Sequence, residues 1–340
     1  MSVTINGTSG VTFNDASNQT TAATGFGFKN RLLNGAMQIA QRATSATITA
    51  GSTIAAGYST VDRWYVYCTG ANVTAAQVAG TGAVKNNLQI TGAASVTAIG
   101  IGQRIEQLNS YDLAGSTATL SVNISNSLLT TVTWTAYYAN TADTFGTLAS
   151  PTRTQIATGT FTVTSTLTNY NTNISIPAAA TTGVEIVFTV GAQISGTWVI
   201  GNIQLEKGST ATSFDYRPYG TELALCQRYY YKNFPAATNV SFCIGFNSTT
   251  TVTYGSIFFP VSMRTAPTAL EQNGTANNYL VAYLGTSTTC SSVPVFREAS
   301  FNGSSISFTV ASGLTAGQAC QMRTDATNGA TAYLAWSAEL

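Results

Sequence analysis

Residues 117–124 read Thr-Ala-Thr-Leu-Ser-Val-Asn-Ile, an unbroken alternation of polar and apolar side chains. Wound as a helix, that stretch would scatter its apolar residues around the cylinder; pleated as a strand, it puts all four on one face. Residues 184–190 do the same with Val184, Ile186, Phe188 and Val190. Period-two runs recur at 61–67, 131–138, 158–165 and 197–205, separated by Gly, Asn and Ser, which predicts an antiparallel β-sandwich. Threonine explains how such sheets meet water with only 8% charged residues: the chain has 57. Its branched Cβ suits the pleat and its hydroxyl is hydrated without charge.

The same economy of charge excludes functions. Lys and Arg number 14 against 13 Asp and Glu, so no long-range field draws in nucleic acid or an anionic membrane. No stretch approaches the 18 or more apolar residues of a spanning helix, and the start lacks the basic and apolar regions of a signal peptide. There is no histidine, which removes the usual nucleophile triads, imidazole bases and most zinc or haem sites. Glycoside hydrolysis needs only two carboxylates, yet no Asp/Glu pair occupies i and i+2 of a strand, about 6.6 Å apart. Arg104 and Glu106 have that spacing and are expected to pair with each other. The five scattered cysteines are expected as buried free thiols of a protein made in a reducing cytoplasm. The glycines at 25, 27, 100 and 102 precede no helix and are read as turn glycines.

The texture divides the chain. Residues 1–28 are too Gly- and Thr-rich to close a core and read as an extended docking or oligomerisation arm; 29–215 form the sandwich. Residues 216–232 form a hinge with one short helix near 222–228, Thr221 its expected N-cap, and a local ion-pair set of Asp215, Arg217, Glu222, Arg228 and Lys232. Residues 233–340 alternate again at 240–246, 252–259, 279–284, 306–310, 318–323 and 331–337, a second, smaller β-sandwich. The fold class is all-β throughout.

Three stretches carry a resemblance. Leu32-Leu33-Asn34-Gly35, Gln41-Arg42 and Asp62-Arg63-Trp64 open the first; Gln204-Leu205-Glu206, Arg217-Pro218 and Glu222 through Tyr230 form the second; Phe259 through Pro267 and the segment Ala335–Leu340 form the third. Together they resemble phage and prophage tail-fibre proteins over residues 30–340. The resemblance implies a jelly roll of the carbohydrate-binding-module type followed by a tip domain. It implies a homotrimeric virion protein assembled in the host cytoplasm, docking to tail or adaptor proteins through residues 1–28 and contacting a bacterial surface glycan. Related jelly rolls hold calcium near positions that are here Ala36-Met37-Gln38 and Gly201-Asn202, so no metal or other cofactor is expected.

On this reading the chain is not an enzyme. A tail-associated depolymerase and a monomeric carbohydrate-binding module are the alternatives. Sugar rings stack on aromatic faces, and Tyr137, Tyr170, Tyr279 and Tyr283 are the candidate ligand-binding residues. Trp64, Trp134, Trp198 and Trp336 are expected in the core. Asp62, Arg63, Trp64, Glu206, Arg217, Arg228 and Arg264 are expected in structural roles: Arg42 and Arg63 paired with Asp62 or Glu206, and Arg264 a turn or inter-subunit clamp.

Overall fold

The computed structural model describes residues 4–6, 10–12, 18–19, 28–51, 57–82 and 84–340. In the arm, β1 (Thr4–Asn6), β2 (Gly10–Thr12) and β3 (Asn18–Gln19) pair antiparallel in that order; the rest of the expected arm up to residue 27 lies outside the described residues.

The sandwich follows. Its strands are β4 (Ser45–Ile48), β5 (Tyr65–Thr69), β6 (Val73–Ala79), β7 (Asn86–Thr91), β8 (Ala98–Ile105), β9 (Thr117–Asn126), β10 (Thr131–Ala139), β11 (Arg153–Thr162), β12 (Thr168–Ser175), β13 (Val184–Val190) and β14 (Thr197–Lys207). They form a five-stranded sheet, β11-β10-β13-β8-β5, and a six-stranded sheet, β12-β9-β14-β7-β6-β4. From β9 to β14 the chain crosses repeatedly between the two layers, in jelly-roll fashion. The alternation does what it predicted: Leu120, Val122 and Ile124 from one sheet meet Ile186 and Phe188 from the other, around Trp64 and Trp198. Trp134 lies on the same inward face as Val132 and Ala136. The strand expected over 61–67 begins only at Tyr65, because Arg63 takes a left-handed backbone (φ 71°).

A single turn α1 (Gln107–Ser110) interrupts the sandwich, and α2 (Tyr219–Gln227) leaves it. Helix α2 starts earlier than expected: Pro218 is the N-cap and Thr221 lies inside the first turn. Proline's fixed φ and missing N–H suit a helix start, where that N–H would be orphaned.

The remaining strands are β15 (Tyr230–Asn233), β16 (Ser241–Asn247), β17 (Val252–Phe258), β18 (Glu271–Gln272), β19 (Tyr279–Tyr283), β20 (Thr286–Ser300), β21 (Gly303–Val310), β22 (Ala319–Thr324) and β23 (Leu334–Ser337). The all-β expectation holds, but here the sheet closes on itself: β16-β17-β21-β20-β19-β22 is a barrel rather than two open layers. Closure removes exposed sheet edges. Beside the barrel, β15-β23-β18 makes a small sheet. One face of it carries Tyr231 and Trp336, stacked at 5.9 Å, into the barrel core. Its other face carries Tyr230, Lys232 and Ser337 toward the sandwich, where Tyr230 registers opposite Ser337.

The seam between sandwich and barrel collects the scarce charges. Arg63 and Arg42 both bind Glu339, Arg42 at 3.3 Å. Arg63 also donates to the carbonyl of Arg104 at 2.6 Å and lies 3.6 Å over the Tyr229 ring. Arg264 donates to the carbonyls of Ala338 and Glu339, both at 2.7 Å, and Arg104 to that of Leu340 at 2.9 Å. Gln41 ties its side-chain amide to the Tyr230 carbonyl at 2.7 Å.

Candidate functional site

The outward face of the five-stranded sheet is built in registered rows. One row runs Tyr67, Gly100, Thr189, Thr133 and Thr160 across the five strands. The next runs Tyr65, Gly102, Val187, Thr135 and Thr158, and a third carries Arg104, Glu185, Tyr137 and Gln155. The first two rows are neutral and rich in hydroxyls; the third holds the charge.

Gly100 and Gly102 are mid-strand residues of β8, not the turn glycines expected. A Cβ on Gly100 would overlap the Tyr67 ring, and one on Gly102 would overlap the Tyr65 ring and hydroxyl. Both rings therefore lie down over the bare backbone of the neighbouring strand, 6.5 Å apart and 24° from parallel. Tyr65 is entirely buried and supports the group; Tyr67 and Tyr137 remain half-buried, with part of their surface in water. Tyr58 meets Tyr65 edge-on at 6.0 Å, and Leu148 packs on the same cluster.

The charged row is locked. Glu185, fully buried, receives Arg104 Nε at 2.9 Å, the Tyr65 hydroxyl at 2.9 Å and Arg153. Arg153 in turn lies 4.0 Å over the centre of the Tyr137 ring. Burial, then the Glu185 carboxylate, push the Tyr65 phenol well above its ordinary value; burial also raises Tyr67. These phenols are neutral donors, suited to hydrogen bonding and stacking rather than to proton transfer near neutrality.

Of the four tyrosines singled out from the sequence, only Tyr137 reaches this face. Tyr170 lies on β12 in the other sheet with its ring turned inward, 5.5 Å from Phe161. Tyr279 is buried in the barrel core with its hydroxyl on the Tyr333 carbonyl at 2.8 Å, which puts it beyond reach of a ligand. Tyr283 caps the end of β19, bonded to the Gly313 carbonyl and bordering an open groove with Ile244 and Leu284. Tyr67 was missed. Its signal was the pairing of an alternate-tyrosine strand, Tyr65 and Tyr67, with an alternate-glycine strand, Gly100 and Gly102.

The structural residues are placed as follows. Trp64 is buried and donates to the Asn34 carbonyl at 3.1 Å. Asp62 and Glu206 hold no arginine, correcting the expected pairs: Asp62 accepts from the Gln41 backbone and side chain, and Glu206 from Gln204 and Thr212. Arg42 and Arg63 reach Glu339 instead. Arg104 and Glu106 do not pair with each other; Glu106 pairs with Arg228 at 3.1 Å. Arg217 pairs with Glu222 at 3.2 Å, as the hinge set anticipated, and also holds the carbonyls of Asn30 and Leu32. Arg264 clamps residues 338–339 of its own chain. All five cysteines are free and four are buried. Among the described residues no helix is long and apolar enough to cross a membrane.

No protein-family model and no curated protein matches this sequence. Among solved structures, the chain is similar to the enzymatically active domain of tailspike protein 4 from Bacteriophage CBA120, at 18% identity and TM-score 0.32, over 47% of this chain and 22% of that one. It is similar to the C-terminal family 22 carbohydrate binding module of Clostridium thermocellum Xyn10B, at 14% identity and TM-score 0.30, over 47% and 96%. It is also similar to TmCBM61 in complex with β-1,4-galactotriose, at 11% identity and TM-score 0.32, over 53% and 99%. At scores this low the fold rests on the strand order and register given above.

Proposed function

We propose that this chain is a non-catalytic, glycan-binding attachment protein of the tail-fibre type, and that the tyrosine face of the five-stranded sheet is its binding surface. The observation that carries this reading is the pair of rings lying flat over Gly100 and Gly102, beside Tyr137 and rows of threonine hydroxyls. A sugar ring has an apolar face that stacks on a flat aromatic and an equator of hydroxyls that bond to neutral polar groups. A sheet with a supported tyrosine at one edge and threonines across its width offers both. The sequence motifs at 30–64, 203–230 and 259–267 supply the tail-fibre part of the reading, with the virion as location and residues 1–28 as the docking arm.

Self-association is the companion proposal. Ile244, Phe246, Phe258, Leu284 and Val295 are all exposed on the barrel, an apolar display that a second and third copy would cover. Weak single-site affinity multiplied by copy number then gives firm attachment.

The test is titration of the intact protein with β-linked gluco-, galacto- and xylo-oligosaccharides and with lipopolysaccharide O-chains. Binding to at least one, weakened about ten-fold by Tyr67→Ala through loss of a stacking partner, is the expected result. Binding untouched by both Tyr67→Ala and Tyr137→Ala removes this face from the reading, and release of shorter oligosaccharides replaces it with a depolymerase. Light scattering is expected to give a mass near three subunits; a clean monomer leaves an isolated sugar-binding module.

A further inference from the structure

The seam encloses a cleft that the tyrosine face does not use. A cavity of about 330 Å³ lies between Arg42, Tyr58 and Ser59 of the sandwich and Tyr230, Lys232 and Glu271 of the small sheet. Past Tyr58, Glu271 and Ser337 it adjoins a second cavity of about 520 Å³, bordered by Arg104 and Thr268. Both volumes fall within the roughly 300–1,000 Å³ of small-molecule sites.

Its walls hold polar capacity that the fold leaves unspent. Lys232 has three N–H donors and among the described residues makes one hydrogen bond, to the Arg42 carbonyl at 3.1 Å, with its ammonium 4.3 Å over the Tyr333 ring. It takes part in none of the ion pairs among the described residues. Arg42 lies over the Tyr230 ring at 3.6 Å, and its contacts to Glu339 and Ser337, at 3.3 and 3.5 Å, are long for a charged donor. The Tyr58 hydroxyl, on the side chain that borders both cavities, is buried with no partner among the described residues. Buried polar groups are rarely left so, and each one asks for an explanation. Across the cleft Glu271 accepts a single bond among the described residues, from the Tyr230 hydroxyl at 3.1 Å, and keeps acceptor positions open.

Two cations with spare donors face an anion with spare acceptors, lined by tyrosine. Inorganic phosphate would meet Arg42 and Lys232 but bring no ring hydroxyls to fill the open acceptor positions of Glu271. A neutral sugar would use Glu271 and leave the spare donors of both cations unused. We propose that this cleft binds a carboxylate-bearing sugar ring of an acidic polysaccharide, its carboxylate on Arg42 and Lys232 and its ring hydroxyls on Glu271, with flanking residues of the chain running into the second cavity. The site is separate from the tyrosine face and stands or falls without it.

The test uses the full-length protein and two probes of matched shape, trigalacturonate and its methyl ester, with triglucuronate and its ester as a second pair, titrated calorimetrically at low salt. In at least one pair the acid is expected to bind ten-fold or more tighter than the ester, as loss of a charged hydrogen bond implies. Lys232→Met is expected to erase that preference, Lys232→Arg to keep it, and Tyr67→Ala to leave it unchanged. Lys232→Arg also serves as the folding control, since it preserves charge and stem. Equal binding of acid and ester, no binding of either acid, or a preference that survives Lys232→Met overturns the proposal. So does a preference lost in Tyr67→Ala, which would place the carboxylate beside Arg153.

Discussion

Two carboxylates in this chain each hold two arginines, and they do different work. Glu185 receives Arg104 and Arg153 from the same sheet, at sequence separations of 81 and 32. Glu339 receives Arg63 and Arg42 from the other side of the seam, at separations of 276 and 297. The first sits wholly inside the sandwich and props the tyrosine face; the second fastens the barrel to the sandwich. In a chain with 13 acidic residues, charge is placed where apolar packing cannot dictate orientation: beneath the tyrosine face and between two separately closed cores. Apolar contacts are non-directional, whereas an arginine fork on a carboxylate fixes distance and angle.

The comparison breaks most readily by neutralising each carboxylate in turn. Glu185→Gln leaves two guanidinium groups inside the sheet without a counter-charge, and a loss of about 3–5 kcal/mol in unfolding free energy is expected. It should appear in a single transition, since Glu185 belongs to one core. Glu339→Gln strands Arg63, which is 1% exposed, and about 3 kcal/mol is expected. Here the loss should fall on docking, so that chemical denaturation resolves two transitions, with the sandwich midpoint little changed. A single shifted transition for Glu339→Gln would mean that the two cores fold as one unit and that the seam is part of a common interior.

How far this could be read beforehand follows from the range of each interaction. Strands with an apolar residue at every second position announced themselves wherever their partners lie in the chain: 184–190 and 131–138 match β13 and β10 closely, although β13 pairs with β10 and β8 rather than with a sequence neighbour. Strand β20 did not, because its Ser/Thr-rich 15 residues include Pro294 and its register to β21 slips at three bulges. Strand β8 did not, because Gly100 and Gly102 read as turns when taken alone, and acquire their meaning only from Tyr67 and Tyr65 on the paired strand. The arginine motifs were recognisable as structural, yet their partner was beyond local reasoning. Asp62 adjoins Arg63 in sequence but is occupied by Gln41, while Glu339 arrives from the far end of the described chain. Tyr137, named from the sequence, lies on this face and Tyr67, not named, lies there too; a flat-lying ring is a property of two strands, not of one.

The two glycines sharpen the contrast between support and surface. Gly102→Ala pushes against Tyr65, which is fully buried and bonded to Glu185, so the ring has nowhere to go; about 1–3 kcal/mol of destabilisation is expected from overpacking. Gly100→Ala pushes against Tyr67, which is half-exposed and can tilt into water. Its expected stability cost is smaller, roughly 1 kcal/mol or less, while oligosaccharide affinity falls as in Tyr67→Ala. Paired thermal melts and titrations of the two variants check this. Equal stability losses, or a Gly100→Ala protein that binds normally, would show that the flat ring is packing and not platform.

The smallest expected effect separates seam from barrel by acid. Burial raises the Asp62 carboxyl above its ordinary 3.8, against hydrogen bonds from Gln41 and the nearby Arg42. A raised acid binds its proton more readily folded than unfolded, so its contribution is greatest below about 3.8 and declines as pH climbs through the folded value. Asp325 behaves oppositely. Burial pushes it up, but the N–H groups of Asn328 and Thr327, the Thr289 hydroxyl and the Ala326 N–H together hold it below 3.8. Its contribution is present above 3.8 and lost as pH falls through the folded value. Denaturation of Asp62→Asn and Asp325→Asn beside the parent, from pH 7 down to about pH 3, should therefore give difference curves of opposite sign. The gain on removing the Asp62 charge shrinks as acid is added, above pH 3.8; the deficit on removing the Asp325 charge shrinks only below it. Curves of the same sign would mean that Asp62 is charged at no cost, and that Gln41 and Arg42 compensate its burial in full.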